Sequence, residues 1–110
     1  MPMTAAPAGV SLTTSLQTIY TNTSGDALRR TVRVRFSNID GTNDADIAAC
    51  NFVDASPSGT FGILPVNTTV AAGDAVEVDK VLEPGDSIQA SASASGDIVA
   101  VPEVIFSEPA

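Results

Sequence analysis

The sequence predicts an all-β domain, a single antiparallel β-sandwich of about seven to eight strands, Ig-like or jelly-roll-like. Three observations carry that prediction. Short runs of alternating polar and apolar residues recur along the chain, and no stretch holds a 3.6-residue period. Between the runs, 8 Gly and 7 Pro are scattered rather than clustered and read as turn punctuation. The hydrophobic content, 44%, is built from Ala and Val with 4 Phe, 1 Tyr and no Trp, so the core is one of small and β-branched side chains that suit a pleated surface. A chain of 110 residues has room for one such core.

Residues 1–11, rich in Pro, Ala, Gly, Ser and Thr, read as an extended N-terminal arm, and residues 12–110 as the sandwich domain. The first strand is expected in SLQTIYT, residues 15–21, with Leu16, Ile19 and Tyr20 as its apolar content, followed by a turn through NTSGD. TVRVRFSN, residues 31–38, alternates strictly. Val32, Val34 and Phe36 face one side, and Thr31, Arg33, Arg35 and Ser37 face the other. The loop DGTNDAD, residues 40–46, breaks this strand, and IAACNFVD, residues 47–54, resumes it, which predicts a hairpin with a long loop. ASPSGT interrupts before FGILPV, where Pro65 marks an edge or bulged strand.

Two segments then share one pattern at an offset of twelve residues: VAAGDAVEV from Val70 and LEPGDSIQA from Leu82. Each has an apolar residue, a Gly-Asp turn three residues later, and an alternating strand. Gly73 and Gly85 are expected to supply positive φ, and Asp74 and Asp86 to bond nearby backbone. DIVAVPEVIF closes the chain as a strand in which Pro102 limits ladder bonding.

The side-chain inventory argues against catalysis. With no His, neither a Ser-His-Asp or Cys-His nucleophile nor the usual zinc sites can be assembled. A Ser-Lys dyad would need Lys80, the one lysine, which reads as a solvated strand-end charge among acids. Cys50 lies in an apolar strand and reads as a buried, inert thiol; a single cysteine makes no internal disulfide. Asp40, Thr42, Asp44 and Asp46 place oxygens at alternate positions, a weak candidate for calcium. Ala45 and Asn51 stand where an EF-hand loop needs Gly and Glu, which favours an exposed acidic loop. Asn22 and Asn67 begin glycosylation sequons but read as turn and strand-end residues. No cofactor is expected. The start MPMTAAPAGV lacks the regions of a secretory signal, and no apolar run reaches the ~20 residues of a membrane span, so folding in a reducing cytosol is expected.

The net charge of -8 argues against nucleic acid and anionic membrane, yet four of five cations fall in RRTVRVRF. Arg29, Arg30, Arg33 and Arg35 admit two readings: exposed cross-strand partners of acids on neighbouring strands, or an interface that meets an acidic partner or an acidic second copy. The absence of Lys from the stripe leans towards the interface, and the absence of interleaved aromatics argues against a nucleic-acid groove.

Taken together, TIYTNTSG, VRVRFSNIDGTNDADI and VAAGDAVEVDKVLEPGDSIQASAS resemble small virion structural proteins of tailed bacteriophages, over residues 15–106. The resemblance implies a non-enzymatic β-sandwich made in the host cytoplasm and present in many copies on the head, neck or tail. Its implied partners are the major capsid, neck or tail protein and further copies of itself. The competing expectation is a carbohydrate-binding or adhesin-like module on a fibre, against which the scarcity of Tyr and Trp counts.

Overall fold

A computed structural model describes residues 9–23, 27–55 and 58–110. They form β1 (Val10–Ser11), β2 (Gln17–Thr21), β3 (Leu28–Asn38), β4 (Ala45–Asp54), β5 (Gly59–Gly62), β6 (Thr68–Val70), β7 (Ala75–Leu82), β8 (Ser87–Ala92) and β9 (Ile98–Pro109), with no helix among the described residues. A four-stranded sheet runs β1-β9-β3-β7, and a five-stranded sheet runs β2-β8-β4-β5 with β6 also on β4. Every pairing is antiparallel. The core lies between the sheets, where Val32, Val34 and Phe36 meet Ile47, Cys50, Ile88 and Ile98, all fully buried. The alternation read in TVRVRFSN is therefore the alternation of the fold.

The strands exceed the expected count because β6 forms after FGILPV, which is itself strand only at Phe61 and Gly62. β5 ends at Gly62, and Pro65 sits in a turn whose carbonyl accepts Thr68 Oγ1 at 2.7 Å. The start of the chain adds a short strand of its own: Val10 and Ser11 pair with Ala100 and Val99. Residues 1–8 of the expected arm lie outside the described residues, as do residues 24–26 of the NTSGD turn. Leu12, directly after β1, is fully buried, whereas Leu16 is half exposed and contributes little to the core.

The expected hairpin between β3 and β4 is corrected. The two strands lie in different sheets, and the acidic loop carries the chain across the sandwich. Alternation cannot separate the two arrangements, because strands facing each other across a core bury the same residues as strands side by side. The ribbon is made by the pairs β1 with β9, β2 with β8, β3 with β7, and β4 with β5 and β6, while β3 with β9 and β4 with β8 join its turns within each sheet. The chain is thus one long antiparallel ribbon, doubled back between β4 and β5 and coiled into two sheets.

Two buried asparagines hold the places where this ribbon crosses from sheet to sheet. Asn22 Nδ2 donates to the carbonyls of Leu28 and Leu82, both at 2.9 Å, while its backbone N–H donates to Asp86 O. Asn38 repeats the arrangement: Nδ2 donates to Asn43 O at 2.9 Å and Val70 O at 3.0 Å, and its N–H donates to Asp74 O. Leu82 and Val70 are the first residues of the two matching Gly-Asp segments, so the sequence repeat is a repeated corner. Gly73 and Gly85 have φ of +71° and +94°, as the turns require.

Candidate interaction face

The outer face of the four-stranded sheet carries the arginines. Because Val32, Val34 and Phe36 point inward, Arg33 and Arg35 point outward, and Arg29 shares their side. Arg33 Nε and Nη2 grip Asp79 Oδ1 and Oδ2 at 2.8 and 3.0 Å, a two-pronged bond to the residue directly opposite on β7. Arg35 Nη1 lies 3.5 Å from Glu77, and Arg29 reaches Glu83 at 2.6 Å and Glu108 at 3.4 Å. The hydrogen bond from Arg33 holds the Asp79 carboxyl below its ordinary range, and the same bond raises the Arg33 guanidinium. These three make the cross-strand pairs the sequence allowed. Being solvent-exposed, such pairs contribute little to stability.

Arg30 does not belong to the stripe. It has the inward parity of Val32, and its Nη1 donates to Oδ1 of buried Asn22 at one corner of the sandwich. Four arginines within seven residues are thereby divided three to one between the outer face and a half-buried corner.

A β-bulge gives this face its apolar part. Val104 pairs with Val32 and Phe106 with Thr31, so Ile105 is an extra residue in β9. Without it, continued alternation from Ile98, Ala100, Pro102 and Val104 would send Phe106 inward; with it, Phe106 stands beside outward-facing Thr31 and is 56% exposed. Val81 flanks Thr31 on the other side and is 46% exposed. Phe106, Thr31 and Val81 form a band across the sheet between the Arg33 and Arg29 rows.

A second feature lies where the edges β7 and β5 approach each other. Phe52, Phe61, Gly62, Ile63 and Lys80 line an open groove of about 400 Å³. Lys80 is not the solvated strand-end charge expected. It lies within β7 with inward parity, and its ammonium sits 4.3 Å from the centre of the Phe52 ring. An inward-pointing charge on an edge strand also discourages another strand from pairing there. Phe61 stacks beside Phe52 with ring centres 6.3 Å apart.

The acidic loop spends its oxygens separately. Asp40 Oδ1 accepts the Thr42 and Asn43 N–H groups at 2.8 and 3.2 Å, which holds its carboxyl below the ordinary range. Asp44 Oδ1 accepts Ala72 N, and Asp46 Oδ1 accepts Thr69 Oγ1. No group of three or more His, Cys, Asp or Glu that could hold a metal converges among the described residues. Cys50 is buried, and burial pushes its thiol up to about 12. Asn22 is a corner clamp with no exposed amide to modify, and Asn67 occupies a turn at φ +57°.

No protein-family model, curated protein or solved structure matches this chain. The apolar band and the Asn clamps are the features that sequence reading misses. The bulge leaves no composition signal, but an Asn closing a strand ahead of each crossing was visible in the sequence.

Proposed function

We propose that the chain is a non-enzymatic virion structural protein of the tailed-bacteriophage kind it resembles, a jelly-roll subunit that binds the capsid, neck or tail and stabilises or completes the particle. One observation supports this above the rest: the coiled ribbon, with β1 on β9, β2 on β8, β3 on β7 and β4 on β5, has the strand order of a jelly roll, an architecture used by viral capsid and lectin domains. Fold alone does not carry function, so the reading also leans on the sequence resemblance. The test is mass spectrometry of gradient-purified particles. The chain is expected in fixed stoichiometry with the major shell or tube protein; its recovery in the soluble fraction alone would refute the proposal. Deletion of residues 2–8, which spares β1, is expected to weaken particle binding and leave the fold intact.

A carbohydrate-binding or adhesin-like module is the second reading, favoured by the exposed Phe61 ring beside Phe52 and Lys80. A glycan array separates the two, since binding abolished by Phe61→Ser would support the second.

A further inference from the structure

We infer that the outer face of the four-stranded sheet is a self-association surface, meeting the same face of a second copy about a two-fold axis that runs along the strands between β3 and β9. The inference rests on this face alone and stands whether or not the protein belongs to a virion. Its centre is Phe106 and Thr31, extended by Ile105 and Val101, which are 40% and 43% exposed, with Val81 at its flank. A bulge that turns a phenylalanine from core to solvent presents apolar area that folding alone would bury. Aromatic residues and arginine together are the side chains enriched at protein contacts.

Charge selects the occupant. Around Arg29, Arg33 and Arg35 stand Glu77, Asp79, Glu83, Glu103 and Glu108, so the face as a whole repels a polyanion while its central column repels a polycation. A partner must therefore alternate acid and arginine in columns one strand apart. This face is itself such a surface. Within one copy, Glu103 lies opposite Arg33 in register and acts on it through space, yet Arg33 turns its guanidinium to Asp79, and no ion pair within 4.0 Å forms at Glu103 among the described residues. The proposed axis exchanges the β3 and β9 columns. Arg33 of each copy then faces Glu103 of the second copy, and Phe106 covers Thr31 across the interface, the reciprocal contacts that a two-fold demands.

The axis overlays two strand columns at ~4.8 Å, and about nine residues at ~3.4 Å, for a footprint of roughly 10 by 30 Å. That is small and suits a weak, transient contact, so dissociation in the high micromolar range is expected.

Sedimentation equilibrium of the full chain tests this. The wild type is expected to pass from monomer to dimer with concentration, and Phe106→Ser to weaken association by at least about tenfold, as central aromatic contacts do. Glu103→Arg, which sets two cations face to face, is expected to weaken it comparably, and the double variant R33E/E103R to restore it. Circular dichroism melting checks that each variant is folded, and Phe61→Ser, on the far groove, is expected to dimerise as the wild type does. A wild type that stays monomeric at its highest soluble concentration overturns the inference, as does a folded double variant that is no better than its single parents.

Discussion

Replacing Asn38 by Ala removes a side chain that is 2% exposed and makes three hydrogen bonds. Two run from Nδ2 to the carbonyls of Asn43 and Val70, and the third brings the Asp40 N–H to Oδ1 at 2.9 Å. Alanine offers none of these. The Val70 carbonyl, on a residue 1% exposed, is left without its donor in the interior, a loss of about 1–3 kcal/mol. The partners at Asn43 and Asp40 are nearer solvent and recover water, costing about 0.5–1 kcal/mol each. The sum is about 3 kcal/mol, a large share of the stability of a small domain. Urea denaturation is the assay: with a slope of about 1.5 kcal/mol/M, the midpoint should fall by about 2 M at unchanged slope. Asn38→Asp keeps the shape but aims lone pairs at two carbonyls, so it should be worse than Ala at neutral pH and improve as pH falls and the carboxyl gains a proton. A loss below about 1 kcal/mol in the alanine variant would refute the assignment of Asn38 as the clamp of this corner.

Gly85→Ala should destabilise more than Gly73→Ala: both need positive φ, at about 1–2 kcal/mol for alanine, but only at Gly85 would the added Cβ meet another atom, Ala55 Cβ at 3.1 Å. Thermal melts of the two variants check the order, and equal losses would count against it. Phe36→Ala, at the largest fully buried side chain, should cost about 3–5 kcal/mol by denaturation, and a loss under about 2 would mean that the core is looser than described. Cys50 should resist alkylation at pH 8 in the native state and react on unfolding. Its folded pKa, about 12, lies above the ordinary value of 9.0, so its contribution to stability is intact below pH 9 and is lost as pH rises towards 12. Alkaline melts of Cys50→Ala against the wild type would show it, and parallel curves would contradict the sign. Asp79 runs the other way: its carboxyl is lowered by Arg33, so that pair is present at neutral pH and lost as pH falls through the acid range. Arg33→Ala should therefore lose a small amount of stability at neutral pH and none at strongly acid pH, which flattens the acid limb by that difference.

Several elements are legible in the sequence alone. The period of two in TVRVRFSN placed Val32, Val34 and Phe36 in the core and Arg33 and Arg35 outside, because successive side chains of a strand have no other choice. The Gly-Asp turns were legible for a similar reason, since positive φ selects glycine locally. The place of Lys80 is not legible, because its sequence neighbours are acidic whereas its surroundings are set by Phe52 on the opposite sheet. Arg30 shares its charge with its neighbours, but parity sends it to Asn22.

The sequence by itself determined the long strand-forming segments, the inward faces of the alternating ones and the Gly-Asp turns, all properties of residues within a few positions of one another, whereas the short β1 and β6 escaped it. Only the tertiary structure decided that β3 and β4 part into different sheets, that one bulge in β9 turns Phe106 outward, and that Asn22 and Asn38 hold the corners. Each of these depends on a partner tens of residues away, as with Asn22 and Leu82 or Thr31 and Phe106. Local alternation is unchanged by the identity of that partner, so it carries no record of it.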